Sequence, residues 1–195
     1  MKTVIIKYNA GNIRSVDFAL NRLQQDAEIT DDHDKIKKAD RVIFPGVGEA
    51  KSTMEYLSNR GLDDLIMHLD QPVLAICLGM QLLCESSEER DARTLGLIDT
   101  KVQRFRGNVK VPHMGWNRIF GIKSPLFEGI EEGSFVYFVH SYYVPMTDFT
   151  IAKSYHSRLF SAAIRKDNFF AVQFHPEKSG TIGEKILTNF FNGVG

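Results

Sequence analysis

Val73-Leu74-Ala75-Ile76-Cys77-Leu78-Gly79-Met80-Gln81-Leu82-Leu83 is the stretch that decides the fold of this chain. The apolar run after Pro72 predicts a short, fully buried strand. Past the cysteine, Leu78, Leu82 and Leu83 recur at helical spacing, which predicts a turn from strand into a helix ending near Glu85. Gly79 lets the backbone bend there without a Cβ clash. Such a turn holds a thiol above a sheet edge, with the first helical N–H groups facing it. A free thiol titrates near about 8.5, and helix N-termini or an imidazolium lower that value. A drop of about two units corresponds to roughly 2.7 kcal/mol and makes most of the sulfur thiolate. A small packed hydrophobe at a strand end fits the same residue, so the rest of the chain has to decide.

Upstream, Thr3-Val4-Ile5-Ile6-Lys7-Tyr8 predicts a first strand, and Asn9-Ala10-Gly11-Asn12 a turn with Asn12 as helix cap. Ile13, Val16, Leu20 and Leu23 then follow helical spacing. A short strand is expected at residues 27–30, solvated charged surface at 31–38, and a strand at Arg41-Val42-Ile43-Phe44. This alternation signals a parallel sheet covered by helices. Pro45-Gly46-Val47-Gly48-Glu49 only superficially resembles a phosphate loop. A dinucleotide loop would need glycine where Lys51 stands, and a P-loop would need it where Ala50 stands. The glycines instead leave backbone N–H groups open to an anion. Loops at the carboxyl ends of parallel strands converge, so this one is expected beside Cys77.

Downstream, Ser86-Ser87-Glu88-Glu89-Arg90-Asp91 reads as an exposed loop, and residues 135–144 as one long aromatic strand added antiparallel to the core. His113 and His140 have no acidic neighbour at a useful spacing, so structural roles are expected for both. Ser161-Ala162-Ala163-Ile164-Arg165 and Phe169-Phe170-Ala171-Val172-Gln173-Phe174 flank a hairpin turn. Ile182, Ile186, Leu187 and Phe190 mark a closing helix. Between them stands His175-Pro176-Glu177. In extended chain, residues two apart project to one side. Glu177 could then accept from one imidazole nitrogen of His175 and leave the other to face a thiol, which is the nucleophile–base–orienter logic of a triad.

Composition narrows the classes. A length of 195 residues suits one domain, taken as 1–195, and Lys+Arg and Asp+Glu both number 24. Overall charge therefore gives no indication of nucleic acid or anionic membrane as a partner. No apolar run approaches a bilayer span, and Val4-Ile5-Ile6 is cut short by Lys7. Cys77 and Cys84 form no CxxC pair, and on one helix they would lie about 10 Å apart, too far for a disulfide. Cys84 is expected to pack in the core. A reducing cytoplasm, with no metal or cofactor, is the expectation.

Cys77-Leu78-Gly79-Met80-Gln81, Pro45-Gly46-Val47-Gly48 and His175-Pro176-Glu177 together resemble the class I, triad-type glutamine amidotransferases. Tyr8-Asn9-Ala10-Gly11-Asn12, Pro112-His113-Met114-Gly115-Trp116-Asn117, His140-Ser141-Tyr142-Tyr143 and His175-Pro176-Glu177-Lys178-Ser179-Gly180 resemble, within them, the glutaminase subunits of imidazole glycerol phosphate synthase from histidine biosynthesis. The similarity runs along essentially the whole chain. One departure is Ala75, where that family usually has glycine; tight packing at the elbow without loss of chemistry is expected there.

The resemblance implies a three-layer, doubly wound, mostly parallel α/β sheet with added antiparallel strands. It implies that Cys77 attacks the side-chain amide of glutamine, that His175 moves the protons, and that Glu177 fixes the imidazole. The oxyanion donors would be the Leu78 N–H and one from Val47 or Gly48. Gly46, Gly48, Gln81, Ser141 and Tyr142 would hold glutamine. Lys178, Trp116 and Asn117 would meet a (β/α)8-barrel cyclase subunit in a heterodimer, and that subunit would use the ammonia. Gly46-Val47-Gly48 would be a switch, closed until the partner docks. The triad alone also suits another class I glutaminase or a different cysteine hydrolase on the same scaffold. A non-catalytic docking module is disfavoured by the intact Cys77, His175 and Glu177.

Overall fold

The computed structural model describes residues 1–9 and 12–194. Ala10 and Gly11 of the first predicted turn lie outside the described residues. The first half alternates as the apolar pattern requires: β1 (Thr3–Ile6), α1 (Ile13–Arg22), β2 (Ala27–Thr30), α2 (His33–Lys37), β3 (Arg41–Phe44), α3 (Ala50–Ser58), α4 (Leu62–Met67) and β4 (Val73–Ile76). Then come α5 (Leu78–Leu82), β5 (Cys84–Ser87), β6 (Ala92–Arg93), β7 (Ile98–Arg104), β8 (His113–Arg118), β9 (Phe135–His140) and β10 (Tyr142–Tyr143). β11 (Thr150–Tyr155), β12 (Leu159–Lys166), β13 (Phe169–Val172) and α6 (Gly180–Asn192) close the chain.

The main sheet has seven strands in the order β11-β12-β13-β4-β3-β1-β2. β13, β4, β3, β1 and β2 run parallel, and β12 and β11 add antiparallel at one edge. Side chains of a strand alternate between faces. Ile5, Ile43 and Leu74 therefore pack with α1 and α6 on one side of the sheet. Val4, Ile6, Val42, Phe44, Val73 and Ala75 pack with the helices between β2 and β4 on the other. β4 is buried throughout, as a central strand covered on both faces must be. Among the described residues, no helix is long and apolar enough to cross a membrane.

Several expectations are corrected. The helix after Cys77 stops at Leu82, and Cys84 opens a strand. The cause is tertiary: Leu95, Gly96 and Ile98 donate their N–H groups to the carbonyls of Leu82, Cys84 and Leu83, which a longer helix would have used itself. Cys77 and Cys84 thus do not share a helix, although Cys84 is buried in the core as expected. Residues 86–91 are not simply an exposed loop, since β5 ends there and a tight turn at Glu89–Asp91 follows, with Arg90 and Asp91 in the left-handed region. The charged stretch 31–38 is mostly exposed, as expected, but it also holds α2, capped by the Asp32 side chain and anchored by a fully buried Ile36. The aromatic stretch 135–144 is broken at Ser141. Among the described residues β9 pairs with β8 alone, in a two-stranded sheet separate from the main sheet, although its Val136 and Phe138 pack into the core, and β10 pairs with β7.

Candidate active site

Cys77 sits where β4 gives way to α5, with φ 52° and ψ −106°. A non-glycine residue there carries strain of about 1–3 kcal/mol and persists only where its surroundings over-determine it. Here its N–H donates to the Val172 carbonyl at 2.7 Å on the neighbouring strand. The loop after β3 is pressed against the elbow. A Cβ on Gly46 would lie 2.2 Å from the Gly79 nitrogen, and one on Gly79 would lie 2.4 Å from the Phe44 carbonyl oxygen. Both positions exclude any side chain. Ala75 is accommodated, its Cβ only in ordinary van der Waals range of the space beside Gly79. Tyr8 donates its hydroxyl to the Pro45 carbonyl and pins the loop from below. Burial, and then Cys77, push the Tyr8 phenol well above its ordinary pKa, so it stays a donor.

His175 follows β13 and is fixed by its backbone. Its N–H donates to the Tyr137 carbonyl at 2.9 Å, and its carbonyl accepts from the Ser179 hydroxyl at 2.6 Å. Pro176–Lys178 forms a tight helical turn rather than the extended chain expected, and this turn carries Glu177 back to the imidazole. His175 Nδ1 and Glu177 Oε1 are 2.8 Å apart, and both side chains are almost wholly buried. Asn12 also donates its side-chain amide to Glu177 Oε1. Asn12 does stand at the start of α1, but its side chain does not cap the helix. The buried Nε2 of His175 has no fixed hydrogen-bond partner among the described residues, and Cys77 is the acidic group that acts on it from outside the His175–Glu177 turn. Burial alone would pull this imidazole down. Cys77, and then Glu177, outweigh burial and lift its pKa to about 10.

The elbow opens into a cavity of about 330 Å³ lined by Val47, Gly48, Cys77, Leu78, Gln81, Ser141 and Tyr142, together with Glu89, Pro112, Val139 and His140. Gly46, expected to touch substrate, is not in that lining; it packs beneath the elbow. Gly48 has φ 131°, a conformation suited to glycine. The Leu78 N–H is not free, since it donates to the Gly46 carbonyl at 3.3 Å. α5 has only five residues, so its dipole is a smaller influence on the sulfur than the sequence suggested.

His113 and His140 form a second buried pair. His140 Nδ1 faces the Tyr142 carbonyl at 2.6 Å, an acceptor, so that nitrogen carries the proton. His140 Nε2 then accepts from His113 Nδ1 at 3.0 Å, and His113 Nε2 accepts from the Asn117 amide at 3.1 Å. Burial lowers the pKa of His113 to about 4 and of His140 to about 3. Asn117 thus turns its amide inward, also donating to the Tyr155 carbonyl. Trp116 and Met114 are each 56% exposed and Lys178 is exposed, with Trp116 packed near Gly180, so these lie on one outer face. Sequence reasoning missed Glu89, which accepts from the Ala50 N–H at 2.7 Å and whose carboxyl burial raises in pKa. It also missed Gln173, whose one signal was a lone polar residue in an apolar run.

A thiol on a strained elbow, facing a carboxylate-held imidazole beside a small cavity, fits the class I glutamine amidotransferase family, and the chain is a member of it: the family described as "Glutamine amidotransferase class-I" matches residues 5–194. The chain is 58% identical over 193 residues to the imidazole glycerol phosphate synthase subunit HisH of Bacteroides fragilis, covering 97% of this chain and 98% of that one. It is 57% identical over 195 residues to the protein of the same name from Bacteroides thetaiotaomicron, covering 98% and 100%. The structure of PurLQS from Thermotoga maritima shares the fold, with a TM-score of 0.75 at 16% identity over 100% of this chain and 99% of that one.

Proposed function

We propose that this chain, as one domain, is the glutaminase subunit of an imidazole glycerol phosphate synthase, acting in the cytoplasm in histidine biosynthesis. The observation that carries the reading is the imidazole of His175, buried between Cys77 and Glu177 and raised by both. The reactive form of that pair is thiolate and imidazolium. The Cys77 sulfur attacks the glutamine carboxamide carbon, and the proton on His175 goes to the departing ammonia. Acylation consumes the thiolate, and with it the larger of the two influences that hold His175 charged. The same imidazole can then take a proton from water and hydrolyse the thioester. Glu177 keeps Nδ1 as the donor throughout.

The amino-acid end of glutamine would lie against Gln81, Ser141 and Tyr142, with the half-buried carboxylate of Glu89 suited to its ammonium. The oxyanion would need the Leu78 N–H and one from the Val47–Gly48 stretch. With the first engaged by the Gly46 carbonyl, hydrolysis in the isolated chain should be slow; one missing donor is worth about 3 kcal/mol. Docking of a (β/α)8-barrel cyclase subunit on the face bearing Lys178 and Trp116 would rotate the loop and open the hole. Asn117 would support that face from behind rather than touch the partner.

Cys77→Ala tests the reading. In the complex with the cyclase subunit, glutamine-dependent turnover should fall about a thousandfold or more. Ammonium salts should still drive synthesis. Residual glutamine hydrolysis within about tenfold of the parent would refute the assignment.

A further inference from the structure

Residues 169–174 are apolar except for Gln173, which is fully buried two residues before His175. Its orientation follows from a chain that begins at a group able only to accept. The Tyr142 carbonyl takes hydrogen bonds from His140 Nδ1 at 2.6 Å and from Gln81 Nε2 at 2.9 Å. Gln81 must therefore turn its nitrogen inward, and its second N–H reaches Gln173 Oε1 at 2.9 Å. That leaves the nitrogen of Gln173 on the far side, 3.6 Å from the Cys77 sulfur. Besides the His175 imidazole, the sulfur also has the Val139 carbonyl at 3.8 Å, which can accept from a thiol but offers nothing to a thiolate.

We propose that Gln173 is a catalytic residue, whose amide N–H donates to the Cys77 sulfur and favours its thiolate, and that Gln81 positions Gln173 through the Tyr142 carbonyl. The inference rests on Cys77 being the nucleophile. A donor bonded to the charged form of an acid favours that form, and a primary amide supplies it without competing with His175 for the proton. The donor serves both halves of the reaction. In the first, the S–C bond forms, the C–N bond breaks, and ammonia leaves with the proton from His175. In the second, water adds to the carbonyl, its proton passes to His175, and the C–S bond breaks with its electron pair returning to sulfur. The donor is in place to receive that thiolate.

The test follows the rate of Cys77 alkylation by iodoacetamide against pH, in a Cys84→Ala background so that one thiol is read. Gln173→Met and Gln173→Leu remove the donor without adding charge. Each should move the alkylation midpoint up by about one pH unit. Glutaminase kcat/KM should fall about tenfold, while ammonium-driven synthesis in the complex with the cyclase subunit stays unchanged. Gln81→Leu should move the midpoint the same way by less. A folded Gln173→Met variant with the parent midpoint overturns the proposal. On the unsubstituted chain, the side-chain amide proton resonance of Gln173 should shift with the Cys77 midpoint, and a flat resonance overturns the proposal whether or not the variants fold. Failure of the functional reading looks different, since Cys77→Ala would then still hydrolyse glutamine.

Discussion

His175 and the pair His113–His140 are the same side chain under nearly the same burial, each less than a tenth exposed. His175 has a carboxylate at 2.8 Å and an acidic thiol for neighbours, and it is lifted to about 10. His113 and His140 have each other, an amide, a backbone carbonyl and aromatic faces, and they fall to about 4 and about 3. Burial lowers all three; only a nearby acid reverses the sign. The first site is built to move a proton, and the second to keep protons where they are.

Changes that break this contrast can be ranked. His175→Ala should have the largest effect, about a thousandfold or more on glutamine turnover, measured as ammonia release in the cyclase complex. Glu177→Gln should cost less, about a hundredfold, because the imidazole remains while its charge loses support. A larger loss for Glu177→Gln than for His175→Ala would mean the roles are reversed.

The His113–His140 pair should affect stability more than rate. Its histidines are neutral when folded, so their contribution is complete above about pH 6.5 and lost as pH falls toward about 4 and about 3. Tm should drop over that acid window, and the drop should flatten in the His113→Gln/His140→Gln double variant. His175 has the opposite sign. Its contribution is present below about pH 6.5 and lost as pH rises through about 10, a loss that Cys77→Ala should diminish. Lys178→Glu should have the smallest effect, weakening stimulation by the cyclase subunit while leaving the slow basal rate alone. Unchanged stimulation would remove Lys178 from the interface.

What could be read from the sequence was local. β1, β3 and β4 are short apolar runs, and β3 and β4 are each bounded by proline; α1 and α6 carry helical periodicity, so composition and spacing suffice for them. Cys77, His175 and Glu177 stood out because their residue types make sense only together. What escaped depended on partners far along the chain. α5 stops because the returning segment at Leu95–Ile98 takes its carbonyls, and no property of residues 83–85 announces that. Asn12 has the chemistry of a cap, yet its amide meets a carboxylate 165 residues later. His175 and Glu177 meet through a helical turn, although the spacing of two suggested a strand.

A pH titration of the histidine ring nitrogens in the unsubstituted chain by nitrogen-15 NMR separates the two sites most directly. His175 should remain an imidazolium at pH 8, and His113 and His140 should stay neutral with protonated Nδ1 down to about pH 5. If His175 instead titrates near its ordinary value of 6.5 alongside the other two, neither Cys77 nor Glu177 holds its proton, and its place as the proton donor of this site is lost.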